Sequence, residues 1–235
     1  QTFPGRNITM VIPFAAGGPT DTIGRLVAEA MSKTLGQTVI VENVVGAGGT
    51  RGSVQVAKAN PDGYTLLLHH VGMSTAPTLY RKLPFNSLTD FETIGLVTNA
   101  PMSLIARPDF PAKDFSEVLA FIRENKDKVS YANAGIGSAS HLCGMLLMSA
   151  IGVQMTTIPY NGTGPAMTDL LAGRLDCMFP TLPSTLSQIR AGRLRALAVT
   201  SDRRFALLPE VPTVKESGLP SYNVASWNAL AAPAK

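Results

Sequence analysis

The sequence predicts an α/β protein of two units, each organised around a largely parallel sheet. Three observations point there. Short β-branched or apolar runs alternate with glycine-containing loops and amphipathic segments along the whole chain. One layout occurs twice: "VIPFAAGGPTD" and "SYANAGIGSASH" both run from a strand through a glycine turn to a polar residue that opens a helix. A length of 235 residues, with 45% hydrophobic and 15% charged, suffices for one large or two ordinary globular domains.

"ITMVIPF" reads as the first strand. "TDTIGRLVAEAMSKTLG" follows as a helix whose apolar residues Ile23, Leu26, Val27, Ala30 and Met31 recur at helical spacing, with Thr20 or Asp21 as N-cap and Gly36 just past its end. "TVIVENV" is a second strand, "GTRGSVQVAKAN" a helix stopped by Pro61-Asp62-Gly63, and "YTLLLHH" a third strand. Together these elements make half of a doubly wound sheet. "ETIGLVTN" and "MSLIARP" are extended pieces on either side of Pro101, suited to carry the chain from one unit into the other.

From there the pattern restarts. Ser116 caps "EVLAFIREN", "VSYANAG" is a strand and "SHLCGMLLMSAIG" a helix. "TTIPY" leads through "NGTG" into the helix "PAMTDLLAG", where Pro165 takes an early helical position and Gly173 closes the end. "LDCMF" and "RLRALAVTS" are further strands separated by "STLSQIRAG", and "NVASWNALAAPA" is a strand returning to the first unit. The first unit is therefore expected to be discontinuous, residues 1–101 plus 222–235, with residues 102–221 as the second.

A net charge of +4 mildly favours an anionic partner, but the basic residues are scattered and aromatics make up 6%, so nucleic acid is not an expected partner. No apolar run reaches the roughly 18 residues of a membrane span, and a start at Gln1 is expected of a mature protein without its signal peptide. Cys143 and Cys177 fit either free buried thiols or one disulfide, and their spacing suits no metal site.

The two glycine turns carry the candidate chemistry. A helix N-terminus exposes unpaired backbone N–H groups and about half a positive charge, so it holds an anion without lysine or arginine. Gly17-Gly18 and Gly135-Ile136-Gly137 lack the Cβ atoms that would keep a ligand off that backbone, and both turns follow strands, where open α/β sheets bind ligands. Two anion-holding edges facing across a cleft are one account of the pair; two plain tight turns are the other. Nucleotide motifs fail in detail: Ser140 stands in place of a third glycine after Gly135 and Gly137, Arg51 interrupts "GAGGTRG", and no G-x-x-x-x-G-K-[ST] occurs.

Ser138 and His141 lie three apart at a helix start, which admits a nucleophile and base of a small hydrolase. G-x-S-x-G is absent, however, and no acid is suggested to orient the histidine, so hydrogen-bonding a bound anion is the more economical role. His69 and His70 end a strand with nothing at chelating spacing, which favours a structural or rim role over a metal site. Tyr160, Asn161 and Trp227 lie at strand ends, where they either line a cleft or simply pack.

"PFAAGGPTD", "NPDGYTLLL", "NAGIGSASHL", "PYNGTGPAMTDLLAGRLD" and "LPEVPTVKESGLPSYNVASW", in that order, resemble the periplasmic solute-binding proteins of tripartite tricarboxylate transporters, the Bug family. The match spans nearly the whole chain and is specific as an ordered set. It implies a two-lobed periplasmic binding protein fold, type II-like, with the ligand cleft between the lobes. It also implies a monomeric receptor, not an enzyme, without cofactor, metal or catalytic residue, that captures a small mono- or dicarboxylate and delivers it to membrane permease subunits. C4 dicarboxylates, citrate and aromatic diacids such as terephthalate all remain open. One carboxylate would meet the first loop, at Phe14, Ala16, Gly17, Gly18 and Asp21, and the other end of the ligand Gly135, Gly137, Ser138 and His141. Ser74, Tyr160 and Thr181 would complete the walls.

Asn161 stands where the family often carries a basic residue, which implies a missing charge-assisted contact and weakly favours a ligand with fewer charges. Family members continue past the position of Lys235 with further helices, so one face of the first lobe is expected to be uncovered and stability reduced. An oxidising periplasm would permit Cys143 and Cys177 to pair, which keeps the choice between thiols and a disulfide open. The rival readings are the Ser138/His141 hydrolase and a carboxylate sensor for a regulatory partner.

Overall fold

A computed structural model describes residues 3–235. The chain begins with β1 (Ile8–Ile12), α1 (Pro19–Leu35), β2 (Val39–Asn43), a 3₁₀ turn at Ala47–Gly49, α2 (Thr50–Ala57), β3 (Thr65–His70), α3 (Gly72–Leu79) and β4 (Phe91–Pro101). It continues with β5 (Ser103–Ala106), α4 (Phe115–Asn125), β6 (Ser130–Asn133), α5 (Ala139–Ile151), β7 (Thr156–Pro159) and α6 (Thr163–Leu171). β8 (Cys177–Met178), α7 (Leu186–Arg190), β9 (Arg195–Val199) and β10 (Ala225–Pro233) complete it.

The strands form two five-stranded sheets, ordered β2-β1-β3-β10-β4 and β7-β6-β8-β5-β9. The two orders correspond position by position. In each, a central strand pairs in parallel with two neighbours: β1 with β2 and β3, β6 with β7 and β8. Beside each trio an antiparallel strand is inserted, β10 between β3 and β4, and β5 between β8 and β9.

Both sheets are thus mixed, and the expectation of parallel pairing holds for the strands connected through helices. The physical reason is direction of entry. A crossover helix returns the chain to the same end of the sheet, so the next strand runs parallel. A strand arriving from the other sheet enters at the carboxyl ends of the trio and can only run back against it.

Local signals account for most elements. β1, with four of its five residues buried and one partly exposed, suits a strand covered on both faces. α1 ends where predicted, at Gly36 in the left-handed conformation (φ 67°), but starts earlier than predicted: Gly18 is the N-cap and Pro19 the first helical residue, not Thr20 or Asp21. Proline needs no N–H partner there. α4 is capped by Asp114, which accepts the Glu117 amide at 2.9 Å, rather than by Ser116. α3 was not legible, because "GMSTAPTL" carries Pro77 inside the helix.

Each sheet has its own core. Ile8, Met10, Ile12, Leu66 and Leu68 pack under α1 with Ala28 on one face of the first sheet, and Val11, Leu67, Val56, Phe85 and Phe91 pack on the other. Phe110, Phe115, Ile122, Tyr131, Leu147 and Phe179 anchor the second. Cys143 and Cys177 are both buried there as free thiols, and burial pushes each up to about 12. Among the described residues no helix is long and apolar enough to cross a membrane.

Candidate functional site

The loops that leave the parallel strands converge on one cleft. Phe14 and Gly18 follow β1, His70 ends β3, Ala134 and Ser138 follow β6, and Phe179 and Thr181 follow β8; all line it. The space inside it that water can reach is about 30 Å³, within about 430 Å³ of non-atom space that includes the open mouth. That is room for a few water molecules.

Three helices begin at its edge, α1 at Pro19, α5 at Ala139 and α6 at Thr163. Each directs about half a positive charge inward. The amides of Thr20, Ala139, Ser140 and Thr163 have no acceptor among the described residues. None of the lining residues is Lys, Arg, Asp or Glu. The field in the cleft therefore comes from helix ends and not from ionised side chains.

The first glycine turn is braced from behind. Asp21, 3% exposed, accepts the Gly17 amide and Arg25 Nε on Oδ2 and Asn43 Nδ2 on Oδ1, each at 2.9 Å. Burial alone would raise its pKa, yet the bonds from Arg25, Gly17 and Asn43 together hold it below the usual carboxylate value. The Gly18 amide goes to Ala15 O (3.4 Å) and the Ser138 amide to Gly135 O (3.0 Å). The turns spend these donors on their own shape. The next amides in each helix are the ones left for a ligand.

Of the residues singled out from sequence, the structure brings Phe14, Gly18, Ser138 and Thr181 together on the cleft wall. Ala16, Gly17 and Asp21 lie along a groove on the outer side of the same turn. Gly135 and Gly137 are buried behind the second turn at positive φ, and His141 is partly buried with Nδ1 accepting the Gly137 amide at 3.2 Å. Burial lowers the pKa of that imidazole. Ser74 is exposed on α3 and not in a loop, and Tyr160 turns its hydroxyl to Asp169 Oδ2 at 2.7 Å. Asn161 is exposed, and Trp227 lies between Ser226 and Asn228, the two residues of β10 that face the cleft.

The hydrolase arrangement is not formed. Ser138 Oγ caps α5 by accepting the backbone amide of His141 (3.2 Å) and lies 3.0 Å from Ser140 Oγ, while the imidazole Nδ1 is engaged by Gly137. The ring therefore makes no nucleophile–base pair with that serine.

His70 and Asn228 were not anticipated in the wall. His70 stacks on Phe14 with ring centroids 4.3 Å apart, and its Nδ1 accepts the Gly72 amide at 3.0 Å. Burial, helped by neighbouring His69, holds its pKa well below the usual histidine value. The neutral ring then carries its proton on Nε2. The signal for Ser226 and Asn228 was their i, i+2 spacing in an otherwise apolar strand, but it points to the cleft only once the place of β10 in the sheet is known.

Across the mouth the rims touch. The Ala15 amide donates to Asn161 O (3.1 Å) and Tyr80 Oη to Ile136 O (2.8 Å). Two glycines permit this approach: a Cβ on Gly162 would lie 2.9 Å from Ala15 N, and one on Gly48 would lie 1.8 Å from Ile136 O.

The sequence matches the family model described as tripartite tricarboxylate transporter family receptor over residues 23–235. Among solved structures, the periplasmic binding protein BugD is 52% identical with a TM-score of 0.96, covering 99% of this chain and 78% of its own. MatC from Rhodopseudomonas palustris, solved with bound malate, is 41% identical with a TM-score of 0.95 over 98% of this chain and 79% of its own. A further R. palustris protein, solved with adipate, is 33% identical with a TM-score of 0.94 over 98% and 78%.

Proposed function

The chain belongs to the tripartite tricarboxylate transporter receptor family, whose members are periplasmic solute-binding receptors and not enzymes, and on that premise we propose that it captures a small dicarboxylate in the cleft between its two sheets and delivers it to the permease of such a transporter. The lobes of this receptor are residues 1–101 with 222–235, and residues 102–221. Phe14, Gly18, Ser138 and Thr181 contribute wall, while Ala16, Gly17, Asp21, Gly135, Gly137 and His141 shape the turns that aim the amides.

The observation that carries this reading is the convergence of three helix N-termini, with free amides, on a cleft lined by no ionised side chain. Such a wall neutralises carboxylates by oriented dipoles. Two carboxylates suit it better than one, because amides stand on both sides: Thr20 beside the first sheet, Ala139 and Ser140 beside the second. The malate and adipate held by two relatives, both dicarboxylates, support the same class. Charge-assisted hydrogen bonds of about 1.5–3 kcal/mol each make four of them sufficient for micromolar binding after closure.

A thermal-shift panel of succinate, glutarate, adipate, citrate and terephthalate tests it, with sugars and neutral amino acids alongside. At least one dicarboxylate raises Tm; stabilisation by another ligand class alone would overturn the reading. Ala139→Pro is the sharper probe. Proline is favoured at the first helical position, and Ser138 (φ −66°, ψ 158°) already has the extended backbone that precedes proline. The substitution removes one inward amide, and a loss of tenfold or more in affinity at unchanged Tm is expected. Unchanged affinity would mean that this amide does not hold the ligand.

A further inference from the structure

We propose that the wall formed by β3 and β10 recognises a hydroxyl group, so that the preferred solute is a hydroxylated dicarboxylate; this deepens the receptor reading above and rests on it. Asn228 is the centre of the inference. It stands directly opposite His70 on β3 and Thr98 on β4, so the three side chains share one face of the sheet. Asn228 is 1% exposed and lines the cleft. Its Nδ2 donates to Thr98 Oγ1 at 3.0 Å, and its Oδ1 has no partner. Buried carbonyl oxygens in folded proteins are nearly always paired. An unpaired one on a ligand cleft is an acceptor in search of a donor.

His70 supplies the complementary half. The Gly72 amide occupies its Nδ1, which leaves Nε2–H as a donor. Donor and acceptor thus stand side by side on adjacent strands. A carboxylate satisfies the donor and is repelled by Asn228 Oδ1. An ammonium satisfies the acceptor and has nothing to offer the Nε2–H, and a methylene satisfies neither. A hydroxyl donates its hydrogen to Oδ1 and accepts from Nε2–H. With the carboxylates held at the helix ends, this places the hydroxyl on the carbon chain between them.

Isothermal titration of the full chain with two matched pairs, succinate against malate and glutarate against 2-hydroxyglutarate, tests the assignment. The expected result is a preference of at least tenfold for the hydroxylated member of one pair, since a site built to bond a hydroxyl rejects the analogue lacking it. Asn228→Leu should abolish that preference, so that the plain and hydroxylated members of the pair bind equally. Thr98→Val, which leaves the amide present but unanchored, should reduce it. Equal binding within both pairs overturns the hydroxyl assignment, the acceptor then being met by water, and needs no variant to establish. A preference that survives in Asn228→Leu overturns it as well. If only other carboxylates bind, the hydroxyl assignment falls and the receptor reading stands; if no carboxylate binds, both fall.

Discussion

The hydroxyl of Tyr80 donates to the backbone carbonyl of Ile136 at 2.8 Å, joining the end of α3 to the glycine loop after β6. Thr75 Oγ1 reaches the neighbouring Gly137 O at 3.4 Å, and the Ala15 amide meets Asn161 O at 3.1 Å. These bonds form only while the rims touch, so they favour the closed arrangement over an open one. A net contribution of about 0.5–1.5 kcal/mol for one such bond gives roughly two- to tenfold in affinity. Tyr80→Phe is expected to weaken ligand binding by that amount in calorimetry and to leave the melting temperature of the free protein unchanged. Unaltered affinity would remove Tyr80 from the closure energetics.

Gly48→Ala should block closure. Its Cβ would lie 1.8 Å from Ile136 O and 2.7 Å from Tyr80 Oη, and a backbone carbonyl cannot step aside as a flexible side chain can. Gly36→Ala is the control, because Gly36 has a similar φ (67° against 62°) with nothing within 4 Å of the added atom. Both variants carry the left-handed strain of about 1 kcal/mol. Only Gly48→Ala is expected to lose tenfold or more in affinity and to stop contracting with ligand in small-angle scattering.

Asp21→Asn should destabilise the protein by about 1–3 kcal/mol, because it leaves the Gly17 amide and Arg25 with a weaker acceptor in a buried bracket. A thermal melt at neutral pH reads the loss. No change would show that the turn holds its shape without the carboxylate.

Stability should fall as the pH drops from about 6.5 towards 4. Burial lowers His69 to about 4 and His70 well below its ordinary value, so the unfolded chain binds protons in that window that the folded chain refuses. The contribution is whole above 6.5. Asp21 acts lower: its depressed pKa contributes stability that is lost only as acid reaches the carboxylate range. His69→Asn keeps an acceptor for the His70 amide, which Nδ1 now takes at 2.7 Å, while removing the titration. It should flatten the slope of melting temperature against pH; an identical slope would assign the loss to other groups.

Cys143 and Cys177, held up to about 12 by burial, should resist alkylation in the native protein near pH 8. In denaturant without reductant, both thiols should react. Fewer than two would contradict the free thiols of the structure.

Much of the fold was legible because its signals are local. Gly36 ends α1 through a left-handed backbone that other residues resist, and Ser138 caps α5 with its own side chain. Gly18 and Ser138 stood out because each lies in a turn between a strand and a helix, where α/β sheets meet ligands, whereas Phe14 and Thr181 entered only through the family resemblance. The reading erred where a local signal was ambiguous, as at α3 with Pro77, or where two polar residues competed for a cap, as at Asp114 and Ser116.

The sequence by itself determined the alternation of strands and helices, the two glycine turns and the helix starts behind them, since these depend on backbone sterics and hydrogen bonds within a few residues. Only the tertiary structure decided that β10 inserts between β3 and β4. That insertion sets Asn228 opposite His70 and Thr98 and turns it into the cleft. It also took the folded loops to show that Asp21 and Ala15 in the first turn and Gly135 in the second consume the turn amides and leave Thr20, Ala139 and Ser140 as donors. The reason is the same in both cases. Which face a strand residue presents, and which donor remains unpaired, depend on register and approach between segments far apart in the chain, and no local propensity encodes them.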